Sequence, residues 1–262
     1  MKKIYSLVTT LLLLALLTAC SNTETSKESS SKQPVDLTVS AAASLQDALV
    51  ELQKTYEKEH TDVNVQFNFG GSGALKQQIA QGAPVDVFFS AASEPFDALV
   101  QSGDIEKSKQ VNLLANELVL ITPKDTNNNI QSFKDLTTAK KIALGTPESV
   151  PAGQYGRETL EALKLWTRVE DKIVYTKDVR QVLTYVESGN VNAGLVYGTD
   201  ARTSDKVQLV ATAKSDTHQP IIYPVGIIKD SKHPKEAQAF YDFLQSDEAM
   251  KTFEKYGFKG AK

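Results

Sequence analysis

The chain has 262 residues, 41% of them hydrophobic and 23% charged, with 29 Lys and Arg against 32 Asp and Glu for a net charge of −3. This length is enough for two lobes of ordinary domain size, and the scattered, slightly acidic charge excludes an electrostatic footprint for nucleic acid. A single cysteine excludes an internal disulfide, and His60, His218 and His233 lie too far apart to give metal-ligand spacing.

At the N-terminus, Lys2 and Lys3 precede an apolar run that closes on Leu17-Thr18-Ala19-Cys20. A positive start, a short apolar stretch and small residues before the cysteine predict a secretion signal over residues 1–19, too short to span about 30 Å of hydrocarbon. Leu-Thr-Ala-Cys is similar to a lipobox, so Cys20 is the expected lipidation site, and diacylation would give a stable membrane anchor. Residues 20–35 hold many serines and no large apolar residue before Val35. They cannot offset the entropy of ordering and are expected to form a flexible tether.

Beyond the tether, short apolar strands alternate with amphipathic helices. Residues 37–42 read as a strand, and Ser44-Leu45-Gln46-Asp47 opens a helix in a pattern like a capping box. Leu45, Ala48, Leu49, Leu52 and Tyr56 recur on one face of that helix. Residues 63–69 alternate as a strand, and Gly70-Gly71-Ser72-Gly73 leads into a helix bearing Leu75 and Ile79. A strand at 85–90 precedes Ser93-Glu94-Pro95, a helix start with proline in its first turn. Strands follow at 118–122, 141–145, 193–197 and 208–212, with helices at 152–165 and 179–188. An apolar segment at 221–228 is broken by Pro224, and one helix over 234–256 closes the chain. Such alternation predicts an α/β fold with mostly parallel sheets.

Several strand-to-helix junctions carry small or hydroxyl residues: Ser44, Ser72, Ala152-Gly153 and Val179. The first turn of a helix leaves backbone N–H groups unpaired and partly positive, a setting that binds anions without charged side chains. In open α/β sheets these junctions gather at the carboxyl ends of the strands, where ligands bind. Each also has a plainer reading: Ser44 as a helix cap, residues 70–73 as a tight turn, and Asp178 as the cap of the helix after it. Arg157, Arg168, Arg180 and Arg202 read as surface pairing or helix-face charges, and Trp166 as packing.

Five segments in order give the chain a wider resemblance: Ala41-Ala42-Ala43-Ser44-Leu45, residues 82–88 (GAPVDVF), residues 150–155 (VPAGQY), Asp178-Val179-Arg180 and residues 196–201 (VYGTDA). With them it resembles the molybdate-binding proteins of ABC importers, within the type II periplasmic-binding-protein group. The resemblance implies two α/β lobes, each a mixed, mostly parallel sheet flanked by helices and hinged by two crossover segments. Lobe one would hold residues 36–116 and 224–262, and lobe two residues 117–223, with crossings near 117–121 and 222–225. It further implies an oxyanion site in which Ser44, Ser72 and Tyr197 offer hydroxyls while Ala152 and Val179 offer only backbone N–H, which leaves the other tyrosines to packing. The ligand would be molybdate or tungstate bound as the intact oxyanion, with no cofactor. The partner would be a membrane permease docking on acidic patches, and the protein a monomer lipid-anchored outside the cytoplasm.

The chemistry agrees with that implication. Neutral donors in a dry cleft favour a fully deprotonated oxyanion, whereas phosphate near neutral pH carries a proton that would find no acceptor. Sulfate is smaller than molybdate, and no residue separates molybdate from tungstate. Three alternatives remain. A receptor of the same fold for sulfate, phosphate or ferric ion is one, although ferric sites want paired tyrosines or His and carboxylates. A structural lipoprotein with no small ligand is another. The third is a serine hydrolase using Ser72, since residues 70–74 (GGSGA) nearly match the G-x-S-x-G elbow and His218 or His233 lies downstream.

Overall fold

The computed structural model describes residues 34–124 and 129–261. The expected signal sequence, Cys20 and nearly all of the expected tether lie outside the described residues. Val35, assigned to the tether, instead opens the first strand.

The chain begins with β1 (Val35–Ala42), a 3-10 turn at Ala43–Leu45 and α1 (Gln46–Glu59). Then come β2 (Val63–Gly70), α2 (Ser72–Ala80), β3 (Val87–Phe89), α3 (Ser93–Ser102) and β4 (Ile105–Ala115). The second region holds β5 (Leu118–Pro123), β6 (Ile142–Gly145), α4 (Pro151–Ala162), α5 (Trp166–Val169) and β7 (Ile173–Thr176). It continues with α6 (Val179–Glu187), β8 (Ala193–Tyr197), α7 (Gly198–Arg202) and β9 (Val207–Thr212). The chain ends with β10 (Ile222–Ile228), α8 (Pro234–Leu244), α9 (Asp247–Lys255) and β11 (Lys259–Gly260).

These strands form two sheets. The first has the order β11-β4-β10-β3-β1-β2 and the second β7-β6-β8-β5-β9. The chain leaves the first sheet through Asn116 and Glu117, between β4 and β5, and returns through residues 213–221, between β9 and β10. Parallel pairing, the expected rule, is confined to β2-β1-β3 and β7-β6-β8, where helices make the crossovers. Pairs with β10, β4, β11, β5 and β9 are antiparallel, so both sheets are mixed. The cause is connectivity: β4 leads almost directly into β5, and β10 re-enters the first sheet from the opposite end.

Each sheet is buried as its pattern requires. Leu37, Val39 and Ala41 of β1 are fully inaccessible, as befits a strand flanked on both edges and covered on both faces. On the first sheet, Tyr56 of α1 packs edge-on against Phe240 of α8 at 5.0 Å between ring centres. On the second, Val182 and Val186 of α6 are buried on one helical stripe.

Four expectations about elements are corrected. The closing helix is two helices, because Ser246 stops the first and caps the second, its Oγ accepting from Ala249 N at 3.2 Å. The helix expected over 152–165 ends at Ala162, and Lys164 follows in the left-handed region with φ 58°. Pro224 does not break its segment but lies inside β10, where a register shift between Tyr223 and Pro224 absorbs the missing N–H. Ser44 does not cap α1: it sits in the preceding 3-10 turn and makes no cap bond. Strands β4 and β7 had no counterpart in the sequence reading, because the polar run from Glu106 to Gln110 hides the first and Ile173–Thr176 is short and half-exposed.

Candidate oxyanion site

The carboxyl ends of β1 and β2 in the first sheet approach those of β6, β7 and β8 in the second. Each is followed closely by the start of a helical turn. Ser44, Ser72, Ala152, Val179 and Tyr197 all line one cavity of about 10 Å³, together with Gly71, Ala91 and Val150 among others. A cavity of this size has room for about one water. None of the described residues lining it carries a charged side chain.

The two sheets meet here at backbone contact distance. Gly73 N donates to Ser149 O, across from α2 to the turn before α4, at 3.0 Å. A Cβ on Gly71 would lie 2.6 Å from Ser149 O, and one on Gly73 would lie 2.9 Å from Ser149 Cα. The glycines around Ser72 therefore serve close approach as well as a turn.

Ser72 is the first residue of α2 and is fully buried. Its Oγ accepts from Ala91 N at 2.9 Å, which leaves the hydroxyl hydrogen for another acceptor. Ser44 Oγ lies 2.9 Å from the Tyr223 hydroxyl. Ala152 is the second residue of α4 and Val179 the first of α6, positions whose N–H groups have no partner within their helices. Asp178 caps α6 as expected, its Oδ1 accepting from Gln181 N at 2.8 Å. Tyr197 is 1% exposed, and its hydroxyl makes no hydrogen bond. Burial holds its pKa well above the ordinary phenol value, so it stays protonated as a donor.

Two charged groups stand behind this neutral wall. Asp200, in α7, is buried, and desolvation raises its pKa from 3.8 to about 7 against the opposing pull of Arg180 and the Tyr197 N–H. Its Oδ2 accepts from Tyr197 N at 3.2 Å, while Oδ1 has no hydrogen bond and lies 4.0 Å from Arg180 Nη1. Arg180 also pairs with Asp47 of α1, joining the two halves beside Val179. That pairing and the Arg157–Glu161 bridge, with Arg157 over the Trp166 ring at 5.1 Å, match the surface roles expected of these arginines.

Neither His218 nor His233 lines the cavity, and Ser72 meets a backbone amide in place of an imidazole base. The reading missed Tyr223 and Asn116. Tyr223 was assigned to packing, yet it bonds Ser44. Its signal was present: a tyrosine inside a strand of otherwise apolar residues must find a partner for its hydroxyl.

The chain matches the family of bacterial extracellular solute-binding proteins over residues 37–259. It is 58% identical over 257 residues to the "Putative ABC transporter substrate-binding lipoprotein YvgL" of Bacillus subtilis, covering 98% of each chain. It is 39% identical over 227 residues to the molybdate-binding protein ModA of Haemophilus influenzae, covering 85% of this chain and 89% of that one. Among solved structures, the "substrate binding domain of putative molybdenum ABC transporter" from Clostridium difficile is 42% identical. It covers 87% of this chain and 100% of its own, with a TM-score of 0.66.

Proposed function

The chain belongs to the family of bacterial extracellular solute-binding proteins, and from that premise we propose that it captures molybdate between its two sheets for delivery to a membrane permease. Its role is to bind a substrate for an ABC transporter, not to catalyse a reaction. In this reading the elements of the first sheet form one lobe and those of the second sheet the other. Ligand contacts from both lobes then favour the closed arrangement. Cys20 holds the protein to the outer face of the membrane, and the protein acts as a monomer.

The observation that carries the reading is the buried Tyr197 hydroxyl, left without a partner at the wall of a cavity that holds only neutral groups. A buried hydroxyl without a partner costs about 1–3 kcal/mol. An oxyanion accepting from it, from Ser44 and Ser72, and from the N–H groups of Ala152 and Val179 removes that cost. Ferric ion is disfavoured, because the wall offers one tyrosine and neither carboxylate nor imidazole to balance its charge. Donors alone also disfavour protonated phosphate. Tungstate, nearly the size of molybdate and equally deprotonated, is expected to bind as well.

Thermal unfolding of the purified protein with molybdate, tungstate, sulfate, phosphate or ferric citrate tests this. Ligand at a hundred times its Kd adds about 2.7 kcal/mol, a rise of roughly 5 to 10 °C for a chain of this size. A rise with molybdate and tungstate alone supports the proposal. A rise confined to sulfate, phosphate or ferric ion replaces the substrate, and none with any of them rejects the anion site.

A further inference from the structure

A serine hydroxyl can donate to an anion or turn and accept, so an oxyanion site built on serines needs something to fix their direction. For Ser72 the Ala91 N–H does this directly. For Ser44 the fixing groups lie one and two residues removed. The Asn116 side-chain oxygen accepts from Glu117 N at 2.9 Å, which orients the amide. Its Nδ2 then donates its two hydrogens, one to Thr199 Oγ1 at 2.9 Å and one to Tyr223 Oη at 3.1 Å. Tyr223 is fully buried, and besides Asn116 its hydroxyl has Ser44 Oγ at hydrogen-bond distance, 2.9 Å, while the neighbouring Tyr197 hydroxyl makes no hydrogen bond.

The order of donors follows from counting hydrogens. With Asn116 donating to Tyr223, the Tyr223 hydrogen needs an acceptor, and Ser44 Oγ is at hydrogen-bond distance whereas the Tyr197 hydroxyl, which has no partner, is not. Were Ser44 to donate instead, the Tyr223 hydrogen would be buried without a partner. The chain therefore runs Asn116 to Tyr223 to Ser44, and the Ser44 hydrogen is left for the cavity. We propose that Asn116 and Tyr223 are positioning residues that hold the Ser44 hydroxyl as a donor and so tune the site to oxyanions that carry no proton.

This inference rests on the oxyanion reading of the cavity. Its location adds a link to closure. Asn116 lies in the passage out of the first sheet and Tyr223 follows the passage back, while Thr199 belongs to α7 of the second region. The Tyr223 ring packs edge-on against Tyr197 at 5.7 Å and Phe258 at 5.4 Å, so its removal of one oxygen in Tyr223→Phe leaves the packing in place.

The test is calorimetric titration of full-length wild type, Y223F and N116D with molybdate, sulfate and phosphate at pH 7. Sulfate, like molybdate, carries no proton there, whereas phosphate does. Y223F frees Ser44 to rotate, and molybdate affinity is expected to fall about tenfold. Sulfate falls in parallel and phosphate by less, so the molybdate-to-phosphate ratio drops severalfold while the molybdate-to-sulfate ratio stays within about twofold. N116D accepts from Tyr223, reverses the chain and is expected to shift the same ratio further in the same direction; it also serves if Y223F fails to fold. A general distortion of the site would move both ratios. Unchanged ratios in both variants, or both ratios moving together, overturn the proposal while wild-type binding of molybdate leaves the site reading intact. Wild type binding none of the three anions overturns both.

Discussion

From the first sheet the cavity receives two side-chain hydroxyls, Ser44 and Ser72; from the second it receives the first turns of α4 and α6 and a single phenol, Tyr197. The first half is held by side-chain chemistry, each serine being oriented by a partner behind it. The second half relies on main-chain N–H groups whose direction is set by the helix itself. Substitution should therefore damage the two halves unequally. On the first sheet it removes the donor, whereas at Ala152 and Val179 it changes a side chain and leaves the N–H in place.

The largest effect is expected where the halves touch. In Gly73→Val the new Cβ meets the Ser149 backbone at about 2.9 Å, and the sheets cannot approach. Molybdate affinity should fall more than about 100-fold by titration, because the halves must part to relieve the contact and the donors of one then lie out of reach of an anion held by the other. Retained affinity would show that binding does not need this contact.

Next is Ser72→Ala, which removes a donor from the first half. A hydrogen bond to a charged group contributes about 1.5–3 kcal/mol, so Kd should rise about 10- to 100-fold. It also strands the buried Ala91 N–H, lowering ligand-free stability by about 1–3 kcal/mol in a denaturant titration.

Asp200 sharpens the comparison through pH. Because burial raises its folded pKa to about 7, the folded protein holds this proton more tightly than the unfolded chain. The stabilisation is fully present below about pH 4 and is lost as pH rises through about 7. Asp200→Asn keeps an acceptor for the Tyr197 N–H and abolishes that titration. The stability of wild type relative to D200N should therefore decline from about pH 4 to 8 and then level off. A pH-independent difference would place the carboxyl in a more solvated setting.

The smallest effect on binding is expected at Val179→Ala. Its side chain is 3% exposed, so truncation should lower stability by about 1–3 kcal/mol. Its N–H survives, and molybdate affinity should stay within about threefold. A large affinity loss here, matching that of Ser72→Ala, would erase the distinction between side-chain and main-chain halves.

Much of this was legible residue by residue. The strand over Ala193–Tyr197 and the helix beginning at Val179 fall where periodicity and the Asp178 cap put them, since both signals are local. Ser44, Ser72, Ala152 and Val179 could be named because each sits where a strand gives way to a helix, whereas Tyr197 was named only through the resemblance to the molybdate-binding proteins. Other features were hidden. The glycines at 71 and 73 looked like a turn, because the backbone that excludes a Cβ belongs to Ser149, more than seventy residues away. Ser44 looked like a cap, because its partner Tyr223 lies 179 residues downstream.

The sequence by itself determined the element types, the alternation that makes an α/β fold, and the set of small and hydroxyl residues at helix starts, all of which depend on neighbours within a few positions. Only the tertiary structure decided which strands pair antiparallel, how closely the two sheets approach at Gly73 and Ser149, and which group the Ser44 hydroxyl meets. Those are consequences of long-range contact: a hydrogen bond's direction depends on every partner in the chain of donors, and Asn116, Tyr223 and Ser44 become neighbours only once both passages between the sheets are in place.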